Sequence, residues 1–280
     1  MGDETTRAVL ITGCSSGIGY AAAQGLRDRG WQVVATCRKE EDCVRLTGEG
    51  FTSVRLDYED PPSIAAGFEQ TLAATGGRLD AAFNNGAYGV PGAVEDLPMA
   101  ALQAIFQANF FGWHELVRLA LPVMRAQGHG RIVQNSSVLG FAALKYRGAY
   151  NATKFAIEGL TDTLRLELKG TGIQVVLIEP GPIDTKIRVN SYPHFKKWID
   201  WQSSAHRETY ENRLIPRLEA EHIDAPFELP PEAVVAKLVH ALEAPRPRPR
   251  YYVTLPTHVM GLARRLLPTR WMDGLARRVS

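Results

Sequence analysis

Short continuous runs of apolar and β-branched residues recur along the chain: AVLIT (8–12), QVVAT (32–36), TSVRL (52–56), LDAAFN (79–84), RIVQN (131–135), QVVLIE (174–179) and RYYVTL (250–255). Runs this short, with little polar alternation, are what strands covered on both faces require. Segments with a helical period separate nearly all of them. The pattern therefore predicts βαβ units building an α/β, doubly wound, predominantly parallel seven-stranded sheet of the Rossmann type, with helices on both faces. Long apolar helices are expected over residues 100–126 and 149–169.

Past residue 180 the period loosens. Residues 183–228 mix turn residues, charges and aromatics and are expected to form a loop-and-helix insertion on the substrate side. APRPRPR (244–250) forbids helix and favours an extended segment. Residues 256–280 then set Met260, Leu262, Leu266, Leu267 and Trp271 beside Arg264, Arg265, Arg270, Arg277 and Arg278, with Pro268 splitting any helix in two. Such an amphipathic extension could associate weakly with an anionic membrane, cover a substrate pocket or meet another subunit. No second run of core residues is visible, so residues 1–280 are expected to form one domain.

Composition narrows the function classes. The 280 residues include 32 basic and 30 acidic side chains, and this balance gives no reason to expect a nucleic-acid partner. Cys14, Cys37 and Cys43 lack metal-ligand or disulfide spacing, so no metal site is expected and a reducing cytoplasm suits the chain. No secretory signal and no long apolar span is seen. The histidines, His114, His194 and His258 among them, show no ligand spacing and are expected on surfaces or loops.

Two stretches carry chemistry. In LITGCSSGIGYAAA, Gly13, Gly17 and Gly19 stand between a strand and a helix, where backbone amides can receive a pyrophosphate at close range. In GAYNATKFAIEGL, Tyr150 and Lys154 are one helical turn apart on one face. A phenol titrating near ~10 is a poor proton donor at neutral pH until a cation stabilises its phenolate, and Lys154 can supply that cation. At the end of the second strand stand Arg38 and Lys39, where a carboxylate would bind the ribose hydroxyls of NAD. Two cations favour the 2′-phosphate of NADP, although basic residues after a strand also occur as plain solvated turns.

The TGxxxGxG form of the turn, Thr12 to Gly19, together with YxxxK, resembles the short-chain dehydrogenase/reductase family. More narrowly, the chain is similar to bacterial NADP-dependent aldehyde reductases related to retinol and hydroxysteroid dehydrogenases. The resemblance implies a catalytic tetrad of Asn109, Ser137, Tyr150 and Lys154, with Ser137 rather than its neighbour Ser136 binding the substrate oxygen. Asn109 would hold a water near the lysine. For the cofactor, NADP(H), it implies contacts from Thr12, Gly13, Ser15, Ser16, Gly17, Ile18 and Gly19, from Arg38 and Lys39, from Asp57 at the adenine and from Asn85, and from Tyr150 and Lys154 themselves. Asn85 opens an NNAG-like turn whose last two residues are exchanged here, as Gly86 and Ala87. Pro180, Gly181, the Ile183 backbone and the Thr185 hydroxyl would meet the nicotinamide carboxamide. The activity implied is reversible hydride transfer between NADPH and an apolar aldehyde or ketone in the cytoplasm, by a homo-oligomer, dimer or tetramer. Alcohol, retinol or hydroxysteroid oxidation, and a non-catalytic cofactor-binding regulator, are the alternatives. The sugar-nucleotide epimerase branch is disfavoured because its turn is usually TGxxGxxG. Tyr88, Phe141, Tyr192, Phe195, Trp198 and Trp201 could line an apolar pocket or belong to the core.

Overall fold

The computed structural model describes residues 6–220 and 226–279. Residues 221–225 of the expected insertion, the Arg278 side chain and Ser280 lie outside the described residues. Seven strands stand where the apolar runs predict them: β1 Ala8–Ile11, β2 Gln32–Cys37, β3 Thr52–Arg55, β4 Ala81–Asn84, β5 Gly130–Asn135, β6 Ile173–Glu179 and β7 Arg250–Tyr252. Every pairing is parallel, in the order β3-β2-β1-β4-β5-β6-β7. The order reverses between β1 and β4, and at such a point the loops leaving neighbouring strands part and open a crevice.

Because strand side chains alternate, each strand feeds two cores. Leu10, Val34, Ala82, Ile132, Val175 and Leu177 face one core; Val9, Ile11, Val33, Phe83, Val133 and Ile178 face the other. The first core is closed by α3 Pro61–Ala74, α4 Met99–Phe106, α5 Gly112–Gln127 and α6 Gly148–Glu167. The second is closed by α1 Gly17–Arg27, α2 Glu40–Gly48 and α10 Glu232–Glu243. Full burial of each such aliphatic side chain contributes roughly 1.5–3 kcal/mol, so the layers hold the strand ends, and the loops leaving them, in fixed register.

Three departures from the sequence pattern matter for the site. The long helix expected over 100–126 is two helices, α4 and α5, joined by a π-helical turn at Gln107–Phe111 that buries Asn109. The last strand stops at Tyr252; Pro256 lies in the first turn of the next helix, where its missing N–H costs nothing. The insertion is largely helical: α7 Ile187–Trp198, then α8 Arg207–Thr209 running through a second π turn, Tyr210–Leu214, into α9 Ile215–Glu219. Two C-terminal helices, α11 Leu255–Leu266 and α12 Thr269–Val279, flank Pro268. Among the described residues no helix is long and apolar enough to cross a membrane.

Candidate active site

The loops leaving β1, β4, β5 and β6 meet at the reversal point. After β1 the chain turns through Gly13 to the start of α1, with Gly17 in the left-handed region at φ +57°. Gly19 follows, and a side chain there would collide with the Gly13 carbonyl, so the turn closes only on glycine. Ser16 at the N-cap makes no side-chain cap bond, which leaves the first amides of α1, from Gly17, Ile18 and Gly19, pointing outward without an internal acceptor. Ser15 is exposed beside them, its carbonyl accepting from Arg45 Nη2 at 2.8 Å. Thr185, arriving from beyond β6, packs against Gly17. Uncapped amides and small residues form the cradle that a dinucleotide pyrophosphate requires.

Thr12 ties this turn to β4. Its Oγ1 accepts from the backbone N–H groups of Asn85 at 2.9 Å and Gly86 at 3.1 Å. Asn85 in turn donates to the Thr12 carbonyl at 2.9 Å and accepts from Asn135 Nδ2 at 2.8 Å, so the ends of β1, β4 and β5 share one chain of hydrogen bonds. The exchange of Ala and Gly after Asn85 is sterically neutral at residue 86: a side-chain carbon there would stand 3.4 Å from Gly13 and Tyr58, an ordinary contact. Below it lies a buried polar group that the motifs did not announce. Tyr58 donates to Asn84 Oδ1 and lies 2.9 Å from Thr12 Oγ1, and Asn84 donates to Gln134 Oε1 at 2.8 Å. Asn84, Gln134 and Asn135 are polar residues closing apolar strands, and that is the signal by which they could have been found.

Around β2 the two basic residues differ. Lys39 is ion-paired with Glu41 at 3.0 Å, whereas Arg38 is exposed and its charge helps depress His194. Burial is the larger cause there, taking the His194 imidazole down to about 4. His194 lies on α7, stacked on Tyr88 with ring centroids 3.8 Å apart, and is therefore no free surface residue. Asp57 stands at the end of β3, its Oδ1 accepting from Glu59 N at 3.0 Å.

The tetrad residues come together on the other side of the crevice. Ser137 leaves β5 as the N-cap of a short 3-10 turn, its Oγ accepting from Leu139 N at 3.1 Å. It is Ser137 whose hydroxyl acts on the Tyr150 phenol, while its Oγ donates to the Pro180 carbonyl at 3.5 Å; Ser136 Oγ is buried against Gly140, with no partner among the described residues. Burial pushes the Tyr150 phenol above its ordinary range, while the Ser137 bond and the Arg147 charge pull it back. Lys154, only 1% exposed, donates to the Asn135 carbonyl at 2.8 Å and stands 4.3 Å from the Trp113 ring centroid and 5.4 Å from that of Tyr150. Burial takes its ammonium down to about 7, with Glu158 opposing. Behind it Arg250 pairs with Glu158, Asp162 and Glu179; burial and the Glu158 charge still raise the Glu179 carboxyl to about 8.

Asn109 lies with this group, but its side chain is taken up by backbone. It accepts from Tyr88 N at 3.1 Å and donates to the Tyr88 carbonyl at 2.8 Å, which fixes the loop after β4. Pro180 accepts from Val138 N at 2.8 Å, joining the turn after β6 to the Ser137 loop; Gly181 follows, and Ile183 bridges to Leu229. Of the aromatics expected near substrate, Phe195 is fully buried in the first core against Tyr210, while Tyr192, Trp198 and Trp201 pack onto that core. The sequence left open whether these aromatics line a pocket or belong to the core, and these four belong to the core or pack onto it.

A family profile described as short chain dehydrogenase matches residues 7–195. An uncharacterized oxidoreductase, YbbO, of Escherichia coli K12 is 41% identical over 267 residues, covering 95% of this chain and 93% of its own. Retinol dehydrogenase 8 of Homo sapiens is 39% identical over 190 residues, 64% of this chain and 60% of that protein. Among solved structures, a short-chain dehydrogenase/reductase from Burkholderia phymatum in complex with NAD aligns with a TM-score of 0.77 at 24% identity, over 95% of this chain and 94% of that one, a likeness of fold.

Proposed function

This chain belongs to the short-chain dehydrogenase family, and from that premise we propose that it is a cytoplasmic oxidoreductase that reduces an apolar aldehyde or ketone to the alcohol with NADPH. One observation carries the reading: Tyr150, Ser137 and Lys154 converge at the end of β5, next to the turn at Pro180 and Gly181. The nucleotide supplies the hydride when bound. Tyr150 gives its proton to the carbonyl oxygen, and Ser137 holds that oxygen in place. The Lys154 ammonium favours the phenolate left behind. Asn109 keeps the Tyr88 loop and the Lys154 helix in register. Thr12, Gly13, Ser15, Ser16, Gly17, Ile18 and Gly19 form the pyrophosphate cradle, Asp57 and Asn85 the adenosine side, and Pro180, Gly181, Ile183 and Thr185 the carboxamide side. The buried cysteines, all unpaired, fit a reducing compartment. Kinship also supports a homo-oligomer.

The similarity to retinol dehydrogenase 8 favours a second reading, oxidation of an apolar alcohol, in which the same phenolate accepts the proton. Both are tested by following reduced nicotinamide absorbance with NADPH and a panel of medium-chain aldehydes, aromatic aldehydes, retinal and ketosteroids, and with NADP⁺ and the matching alcohols. Turnover of apolar carbonyls is expected. Failure with every compound in both directions would overturn the oxidoreductase assignment for this class of substrate.

The cofactor preference rests on Arg38, since Lys39 is engaged by Glu41. A charge-assisted hydrogen bond is worth about 1.5–3 kcal/mol, so Arg38→Asp is expected to weaken NADPH about 10- to 100-fold more than NADH. Fluorescence titration with both nucleotides measures it, and equal losses would show that Arg38 lies in a solvated turn with no 2′-phosphate contact.

A further inference from the structure

The C-terminal helices present an apolar stripe that nothing among the described residues covers. On α11, Leu255, Val259, Leu262 and Leu266 are spaced four, three and four residues apart, which places them on one face, and they are 55%, 51%, 61% and 70% exposed. Trp271, on α12, is 68% exposed. The opposite face of the pair is seated: Met260 and Met272 pack with Ala142, Val138 and Phe141 of the turn that follows Ser137, and Thr254 and Thr257 crowd Gly181. An isolated exposed leucine needs no explanation; four in line on a helix do.

Charge supplies the second observation. From residue 244 to the end of the chain stand eight arginines, Arg246, Arg248, Arg250, Arg264, Arg265, Arg270, Arg277 and Arg278, and one acid, Asp273. Beside the stripe lies a groove of about 230 Å³ lined by Lys237, Arg248, Arg250, Tyr252, His258 and Arg265. His258 and Arg265 are seven residues apart on α11, so they share the flank where the apolar face meets the groove. Arg250 gives its charge to Glu158, Asp162 and Glu179, while Lys237, Arg248 and Arg265 bring further positive charge to the groove mouth. A second copy of this chain in a two-fold contact would bring two such basic surfaces together, which is electrostatically unfavourable.

We propose that α11 and α12 dock on an anionic lipid surface, with Leu255, Val259, Leu262, Leu266 and Trp271 among the acyl chains and an anionic phosphate headgroup in the groove between Lys237, Arg248, His258 and Arg265. Acyl contact and headgroup charge act together in such interfacial helices, and each basic residue near the surface strengthens binding to anionic lipid. Docked this way, Val138 and Phe141, on the turn that follows Ser137, lie against the helices that rest on the bilayer.

The test is co-sedimentation of the full chain with vesicles of phosphatidylcholine alone and of phosphatidylcholine with phosphatidylglycerol. Binding is expected only to the mixed vesicles and should weaken as salt shortens the screening length. Arg265→Glu, and separately the double variant Leu262→Ser with Leu266→Ser, should each lower the bound fraction roughly tenfold or more, with thermal melting and turnover of a water-soluble carbonyl unchanged. All of these positions are exposed, so folding should persist. Equal binding to neutral vesicles, no binding to either, or undiminished binding by the Arg265→Glu protein would overturn the proposal. So would sedimentation velocity showing that the double leucine variant converts an oligomer to a monomer, which would assign the stripe to a second copy.

Discussion

Tyr150→Phe is expected to bind NADPH as the parent does and to lose turnover by about 10²–10⁴-fold, the range that a positioned general acid supplies. The substitution removes one oxygen and keeps the ring, which is half-buried at the start of α6 and belongs to the edge of the first core. Packing is therefore conserved, and the stability change should stay within about 1 kcal/mol. What is lost is the hydroxyl on which Ser137 acts, on a ring whose centroid stands 5.4 Å from the buried ammonium of Lys154. Steady-state rates with a carbonyl substrate, set beside a fluorescence titration of the nucleotide, separate the two effects. A large loss of kcat with unchanged nucleotide affinity is the expected split. Undiminished turnover would move the proton donor to another phenol near the crevice; Tyr88, held by Glu59 at 2.8 Å, is the first to examine.

The sheet was legible because burial on both faces forces strands such as AVLI and VVLI to be continuously apolar, and the glycine turn was legible because only glycine fits at residue 19. The pairing of Tyr150 with Lys154 followed from spacing, since one helical turn fixes which side chains share a face, whereas Ser137 came only from the family resemblance. Other features depend on long-range contact and leave weaker traces. The π turn at Gln107–Phe111 adds a residue to one helical turn without disturbing the apolar content, so the sequence reads as one helix where there are two. Asn109 was visible as a polar residue, but its binding of the Tyr88 backbone was not, because that loop is 21 residues away. His194 lacks any spacing signal; its stack on Tyr88 exists only because α7 folds back over the crevice. Tyr58 and Asn84 belong to different strand ends, and only the sheet order brings them to one hydrogen bond.

Lys154→Met is expected to abolish most turnover, by about 10²-fold or more, and at the same time to raise the melting temperature of the cofactor-free enzyme. The ammonium is almost fully buried, and among the described residues its hydrogen bond goes to the Asn135 carbonyl, at 2.8 Å. The nearest counter-charge, Glu158, is already paired with Arg250. Burial therefore outweighs pairing, and the proton leaves the folded protein at about 7, whereas in the unfolded chain it leaves near ~10.4. Between those pH values the unfolded state binds more protons than the folded one, so parent stability rises with pH across the window. A methionine of similar length has no charge to desolvate. It forgoes the Asn135 bond, and a net gain of about 1–2 kcal/mol is expected, within the range seen when buried ions give way to apolar groups. For a chain of this size that is a few degrees, about 2–4 °C per kcal/mol. The gain should be largest at and below about pH 7 and should shrink as the pH rises through about 10.4, above which the lysine is neutral in both states. Melting curves of both proteins across that range decide the matter. A variant less stable than its parent at neutral pH would mean that the cation is held by folding rather than strained by it. Lys154 would then be a structural anchor for β5, and its conjunction with Tyr150 would lose its chemical reading.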